Sequence, residues 1–194
     1  NKALVRLKLP NEMETYLEVA KALKEYGMDS PAIPDDQKKY KSIDWKTLDQ
    51  LKSGSTVVIT TTKGDITIKL FPDRAPASVG SFVQLAGEGY YNGKAFHRVV
   101  PNFVIQTGCP RGDGFGGLDF TLRSEVAETY YDDEGYVGLA SAGLHTEGPQ
   151  FFITHSPTPH LDGKYTIIGK VSSGMDIVHL IEMGDSIKQI NIRY

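Results

Sequence analysis

Phe96-His97-Arg98-Val99-Val100-Pro101-Asn102-Phe103-Val104-Ile105-Gln106-Thr107-Gly108 is the stretch on which the fold turns. Two apolar runs, 95–100 and 103–107, flank Pro101-Asn102, a pair that turns the chain and cannot extend a central strand. Each run reads as a strand, and each is interrupted once by a polar side chain, Arg98 and Gln106. Side chains alternate between the faces of a strand, so an antiparallel hairpin can place Arg98 and Gln106 on one face beside Phe103. Read alone, this fits a surface arginine and a satisfied glutamine on an edge strand as well as it fits a site.

Outward from this hairpin the pattern stays that of short strands and tight turns. Val57 and Ile59, then Ile66, Ile68 and Leu70, alternate around Lys63-Gly64, a hairpin signature. Pro72 to Pro76 leads into a helix with Val79, Phe82, Val83 and Ala86 on one face, and Gly80 sits inside it at a cost of about 1 kcal/mol relative to Ala. Further strands are predicted over 118–122, 136–142, 150–154, 165–171 and 187–192, with a second helix around Met175, Ile177, Val178 and Ile181. The expected fold is mainly β: a closed antiparallel barrel of short strands with helices covering its ends.

Residues 1–53 differ in texture and read as an N-terminal extension ahead of a domain at 54–194. Val5, Leu7 and Leu9 alternate with charges and predict an extended piece. Asn11 and Glu14 have capping-box spacing, Met13, Tyr16, Leu17, Ala20 and Leu23 follow at helical spacing, and Gly27 ends the helix. A Pro-containing connector spans 30–36, and Asp44 caps a short turn carrying Trp45, Leu48 and Leu51. A helix this small cannot bury its own apolar face, so it docks on the following domain, on an upstream domain, or on a partner.

The 194 residues carry 21 Lys and Arg against 24 Asp and Glu, a net charge of −3, which argues against nucleic acid as the main partner. A single cysteine, Cys109, excludes an internal disulfide and an all-cysteine metal site. No apolar run is long enough to cross a bilayer. The chain starts at Asn, so a removed targeting segment stays open, and both cytoplasm and periplasm fit. Residues 112–117 spell G-x-G-x-x-G, but strand-like alternation follows where a nucleotide site needs a helix, so they read as a flexible loop. His145-Thr146-Glu147 lacks the C-x-x-C of a zinc deaminase. His145, His155 and His160, scattered over a loop-rich stretch, read as surface or packing residues rather than ligands. No metal and no cofactor are expected.

Taken together, the F-H-R-V block at 96–99, G-F-G-G at 114–117, Phe120 to Glu125, Q-F-F-I-T at 150–154 and H-L-D-G-K-Y-T-I-I-G-K-V at 160–171 are collinear. In that order, from about Ser55 onward, they resemble the cyclophilins, the cyclophilin-type peptidyl-prolyl cis–trans isomerases. The resemblance implies that the barrel is closed and eight-stranded, capped by two helices with the substrate groove on its outer face, and that the protein is a cofactor-free isomerase that acts on proline-containing polypeptides and assists their folding. It implies that Arg98 is the catalytic arginine and that Gln106 orients both the arginine and the substrate. Phe103, Val104, Phe152 and Leu161 would form the proline pocket. Ala140, Ser141 and Ala142 would pair with the peptide backbone, and His160 and Tyr165 would line the groove further along. Three positions depart from the common family pattern. His160 stands where many members carry a Trp that helps bind cyclosporin, so weak cyclosporin binding is expected. Tyr165 stands where many carry His, and Val104 replaces a longer side chain, often Met. Two other readings use the same residues: a proline-peptide binding module or holdase with incidental turnover, and a scaffold for which the extension is a docking arm.

Overall fold

The computed structural model describes residues 4–29, 33, 39–51, 54–126 and 128–194. Except for Ile33, the connector expected at 30–36 lies outside the described residues.

The eight strands are β1 (Thr56–Thr61), β2 (Asp65–Leu70), β3 (Arg98–Val100), β4 (Val104–Thr107), β5 (Tyr136–Leu139), β6 (Phe151–Thr154), β7 (Ile167–Ser173) and β8 (Ile187–Arg193). They form one sheet in the order β3-β4-β6-β5-β7-β2-β1-β8, and every pairing is antiparallel. The sheet is a curled half-barrel, not the closed barrel expected from the sequence. β3 and β8 end the ladder; among the described residues the seam between them carries no strand pairing but an isolated bridge, Ala95–Ser186, with backbone hydrogen bonds from Phe96 N–H to Asp185 O (2.7 Å), Gly184 N–H to Phe96 O (3.1 Å), Ile187 N–H to Lys94 O (2.9 Å) and Gly93 N–H to Ile187 O (2.7 Å). The physical reason lies in β3, which holds only 3 residues. The residues before it that meet the start of β8 have left the strand, and Phe96 turns fully into the core.

Period-two alternation builds the interior. In β2, Ile66, Ile68 and Leu70 are buried while Asp65 and Lys69 face water. They join Val57, Ile59, Phe82, Phe96, Ile105, Phe151 and Ile153 in the main core. β6 is buried at every position, because a second apolar cluster covers its outer face: Val104, Tyr131, Phe152, Leu161 and Ile167. These two clusters on opposite faces of one sheet separate core from groove.

Among the described residues there are four α-helices: α1 (Met13–Glu25), α2 (Trp45–Gln50), α3 (Pro76–Gly87) and α4 (Met175–Leu180). α3 and α4 are the two helices expected beside the strands. α3 starts at Pro76 without a capping side chain of its own; instead the Glu125 carboxylate accepts from Ala77 N–H (3.0 Å) and Ser78 N–H (2.8 Å). Gly80 has a packing reason, since a β-carbon there would meet the Leu48 side chain of α2 at 3.4 Å.

The extension packs against the sheet-bearing part of the chain. Tyr40 bridges Thr121 in parallel, with Lys41 N–H to Thr121 O and Thr121 N–H to Lys39 O both at 2.9 Å, and Lys41 Nζ lies 4.6 Å from the Phe120 ring centroid. Residues 118–122, expected as a strand of the barrel, are therefore spent on the extension and on one bridge from Leu122 to Glu147. Leu4–Arg6 is a 3-10 turn rather than an extended piece. Asn11 and Glu14 form no capping box: Glu12 is the N-cap, its carboxylate accepts from Lys8 N–H at 2.7 Å, and the Asn11 carbonyl accepts from Gly117 N–H at 2.7 Å. Gly27 (φ +70°) ends α1, and Asp44 caps α2 through Thr47 N–H, both as expected.

Candidate active site

Register brings the quoted hairpin together. Arg98 on β3 is the Cα partner of Gln106 on β4, Gln106 partners Phe152 on β6, and Phe152 partners Gly138 on β5. Alternation sends Ile105, Phe151 and Ile153 into the core and puts Arg98, Val104, Gln106 and Phe152 on the outer face. The turn that sets this register contains Asn102 at φ +60°, a conformation Asn tolerates better than most residues, with Phe103 N–H donating to Val100 O at 3.0 Å.

A cavity of about 250 Å³ opens on this face, lined by Arg98, Phe103, Val104, Gln106, Ala140, Ser141, Phe152, Leu161 and Tyr165. Nine of the eleven residues singled out from the sequence thus share one wall. The other two lie beside it. His160 is exposed and stacks on Phe103 (centroids 5.3 Å apart, planes 27°), while Ala142 lines a neighbouring cavity. The floor is fixed by aromatic packing: Phe152 stacks on Tyr131 (5.9 Å) and meets Tyr165 edge-on (5.7 Å). Gly138 allows this, because a β-carbon there would collide with the Tyr131 hydroxyl and the Phe152 ring.

Among the described residues Arg98 makes no hydrogen bond or ion pair; its guanidinium lies 5.6 Å from the centroid of the Phe103 ring, and its fork is open. Gln106 is held by a chain of amides. Gln150 Nε2 donates to the carbonyls of Gly114 (2.9 Å) and Gly116 (3.0 Å), so its Oε1 faces Gln106 and accepts from Gln106 Nε2 at 3.0 Å. Among the described residues Gln106 Oε1 has no hydrogen-bond partner, and Gln106 lines the cavity. The Gly-rich loop at 112–117 is thus an anchor for a glutamine, and no helix follows it. His97, next to Arg98, is half-buried, and burial pushes its pKa down. His145 accepts from Ser124 N–H through Nδ1 (3.1 Å), and buried His155 lies against His179, so the three histidines considered as ligands stand in different surroundings.

Sequence reasoning missed Gln150, Tyr131 and Gly138. Gln150 shares the even-numbered face of β6 with Phe152, a signal present in the sequence. Tyr131 and Gly138 are recognisable only once β5 and the 131 loop are placed.

The family described as cyclophilin type peptidyl-prolyl cis-trans isomerase/CLD matches residues 56–193. The chain belongs to the cyclophilin family. Peptidyl-prolyl cis-trans isomerase B of Bacillus subtilis is 44% identical over 128 residues, covering 66% of this chain and 90% of the relative. The Helicobacter pylori isomerase is 41% identical over 145 residues and covers 73% and 90%. Peptidyl-prolyl cis-trans isomerase cyp15 of Rhizopus delemar is 45% identical over 152 residues, but the match spans only 24% of that longer protein. The crystal structure of a Cryptosporidium parvum cyclophilin type isomerase superposes with a TM-score of 0.69 at 33% identity, over 72% of this chain and 98% of its own. As a cyclophilin, the chain carries the mainly β, eight-stranded antiparallel half-barrel described above.

Proposed function

We propose that this cyclophilin accelerates rotation about X–Pro peptide bonds, with residues 54–194 as the catalytic domain, residues 1–53 as its extension, and Arg98 as the catalytic residue. The observation that carries the reading is the cavity of about 250 Å³ in which Arg98 and Gln106 share a wall with Phe103, Val104, Phe152 and Leu161. The Cryptosporidium relative was also crystallised in the presence of the dipeptide Ala-Pro, which supports proline-containing peptides as substrates here.

The chemistry follows from the amide. An X–Pro bond prefers trans by only about 0.5–1 kcal/mol, yet its rotation barrier is about 20 kcal/mol because the C–N bond is partly double. Twisting breaks the resonance and localises a lone pair on the proline nitrogen. A donor aimed at that nitrogen binds the twisted state better than either planar one. Arg98 suits this role, since its guanidinium stays charged and its fork is unspent. Phe103, Val104, Phe152, Leu161 and Tyr165 grip the ring, the backbone of 140–142 holds the flanking chain, and Gln106 offers its oxygen to Arg98. An acceleration of about 10⁵ needs about 7 kcal/mol of differential stabilisation. His160, stacked on Phe103 where many members carry Trp, weakens cyclosporin binding.

The test compares wild type with Arg98→Ala on a short X–Pro peptide. A loss of at least about tenfold is expected, with the fold intact because Arg98 is exposed on an end strand. An unchanged rate in the variant overturns the assignment. Because no step requires a titrating group, turnover is expected to be nearly flat between about pH 6 and 8.

A further inference from the structure

α1 lies outside the stretch that matches the family, yet it forms part of the groove. Its seat is fixed: Met13 and Tyr16 are 1% and 5% exposed, Asn11 O accepts from Gly117 N–H at 2.7 Å, and a β-carbon on Gly117 would come within 3.3 Å of Asn11 O, a tight contact. Glu14 and Glu18, one helical turn apart, share a face and both line a second cavity of about 600 Å³. That cavity also takes Arg98, Gln106, Ala140 and Ser141 in its wall, the same four residues that line the proline cavity, so the two are one continuous groove.

The second cavity carries an excess of acidic side chains. Its ionisable lining is Glu14, Glu18, Asp113, Arg98 and His97. Asp113 is paired with Arg111 at 2.7 Å. Among the described residues neither Glu14 nor Glu18 has an ion pair, and Glu14 Oε2 is buried without a hydrogen-bond partner. Burial pushes the Glu14 carboxyl up. Lys21 lines the next cavity along with Glu18 but forms no ion pair with it. A carboxylate placed this way gains most from a cation that arrives with the ligand.

We propose that Glu14 and Glu18 of α1 are specificity-determining residues: an acidic wall of the substrate groove that selects polypeptides carrying Lys or Arg near the isomerised proline. This rests on the isomerase reading of the adjoining cavity. A polypeptide seated with its proline there runs past Ala140 and Ser141 toward the wall, and a basic side chain in the cavity meets exposed Glu18, with Glu14 adding its charge from behind.

The experiment scans one Lys through the positions before and after the proline of a short peptide, with norleucine at the same position as the uncharged control. Exchange NMR gives the lysine-to-norleucine ratio of kcat/KM. The full chain is expected to favour lysine about three- to tenfold at a position on one side of the proline. The ratio is expected to fall toward one in the Glu14→Gln/Glu18→Gln double variant and at high salt, and Glu18→Lys is expected to shift preference toward a Glu-containing peptide. A ratio near one at every position, or an undiminished ratio in the double variant, overturns the proposal. Circular dichroism checks folding, and Glu18→Gln alone, at an exposed position, replaces the double variant if that one does not fold. Absence of exchange with the norleucine peptides would sink the isomerase reading instead, and calorimetric Kd values for the same peptide pairs then read the wall directly.

Discussion

Gly138→Ala tests whether the groove's floor depends on one missing methyl group. The new β-carbon would lie 2.9 Å from Phe152 Cε1 and closer still to Phe152 Cζ and the Tyr131 hydroxyl. Carbon atoms rest at about 3.5–4.0 Å, so the ring must retreat by about 1 Å. Phe152 is 5% exposed and Tyr131 is fully buried, so neither can swing freely into solvent. Overpacking of this kind costs about 1–3 kcal/mol. In a chain of this length that lowers the melting temperature by about 2–4 °C per kcal/mol. The larger effect is on catalysis, because a 1 Å misplacement of a positioning group can cost about 10²-fold. The assay is kcat/KM on an X–Pro peptide together with thermal unfolding. Gly148→Ala is the control, a position where a β-carbon meets nothing within 4 Å. Wild-type kcat/KM and melting temperature in Gly138→Ala would refute the claim that this contact sets the position of Phe152.

Glu125→Ala removes the acceptor for two backbone N–H groups at the start of α3 and is expected to cost about 1–2 kcal/mol in urea unfolding. Gln150→Ala frees Gln106 from its anchor; it is expected to lower kcat about tenfold with KM little changed, since Gln150 lies outside the proline cavity. Stability is expected to fall on acidification. Burial, with the His179 ring 5.0 Å away, holds His155 below its ordinary value near 6.5. The unfolded chain therefore takes up the proton first: the native state keeps its full advantage above about pH 6.5 and loses it as pH drops toward the folded value. Urea unfolding between about pH 7.5 and 5.5 checks the sign, and His155→Gln is expected to flatten the slope; an equal slope in both proteins contradicts it. His97 is shifted the same way and leaves a residual slope.

The sequence carried the strands and helices almost to their ends wherever the signal was local. The hairpin at Lys63-Gly64, the helix after Pro76 and the Asp44 cap depend on neighbours in the chain, and each is found where the pattern places it. Strand parity alone put Arg98 and Gln106 on one face beside Phe103; the other residues that line the cavity were named only by their place in the motifs of the resemblance. The misreadings have a common cause. Residues 118–122 alternate like a strand, and Val5, Leu7 and Leu9 like an extended piece, yet alternation says only that one side faces apolar atoms. Which atoms those are is a tertiary matter, and for 118–122 they belong in part to the extension.

By itself, then, the sequence determined the mainly β fold class through short-range periodicity and the family through the order of its motifs, and that same order is what proposes the groove residues. Only the tertiary structure decided whether the sheet closes, that Gln150 anchors Gln106, and that Glu14 and Glu18 of α1 line the cavity beside Arg98. Those outcomes depend on contacts between residues far apart in the chain, such as Ala95 with Ser186, Gln106 with Gln150 and Asn11 with Gly117, and no local pattern encodes such a meeting.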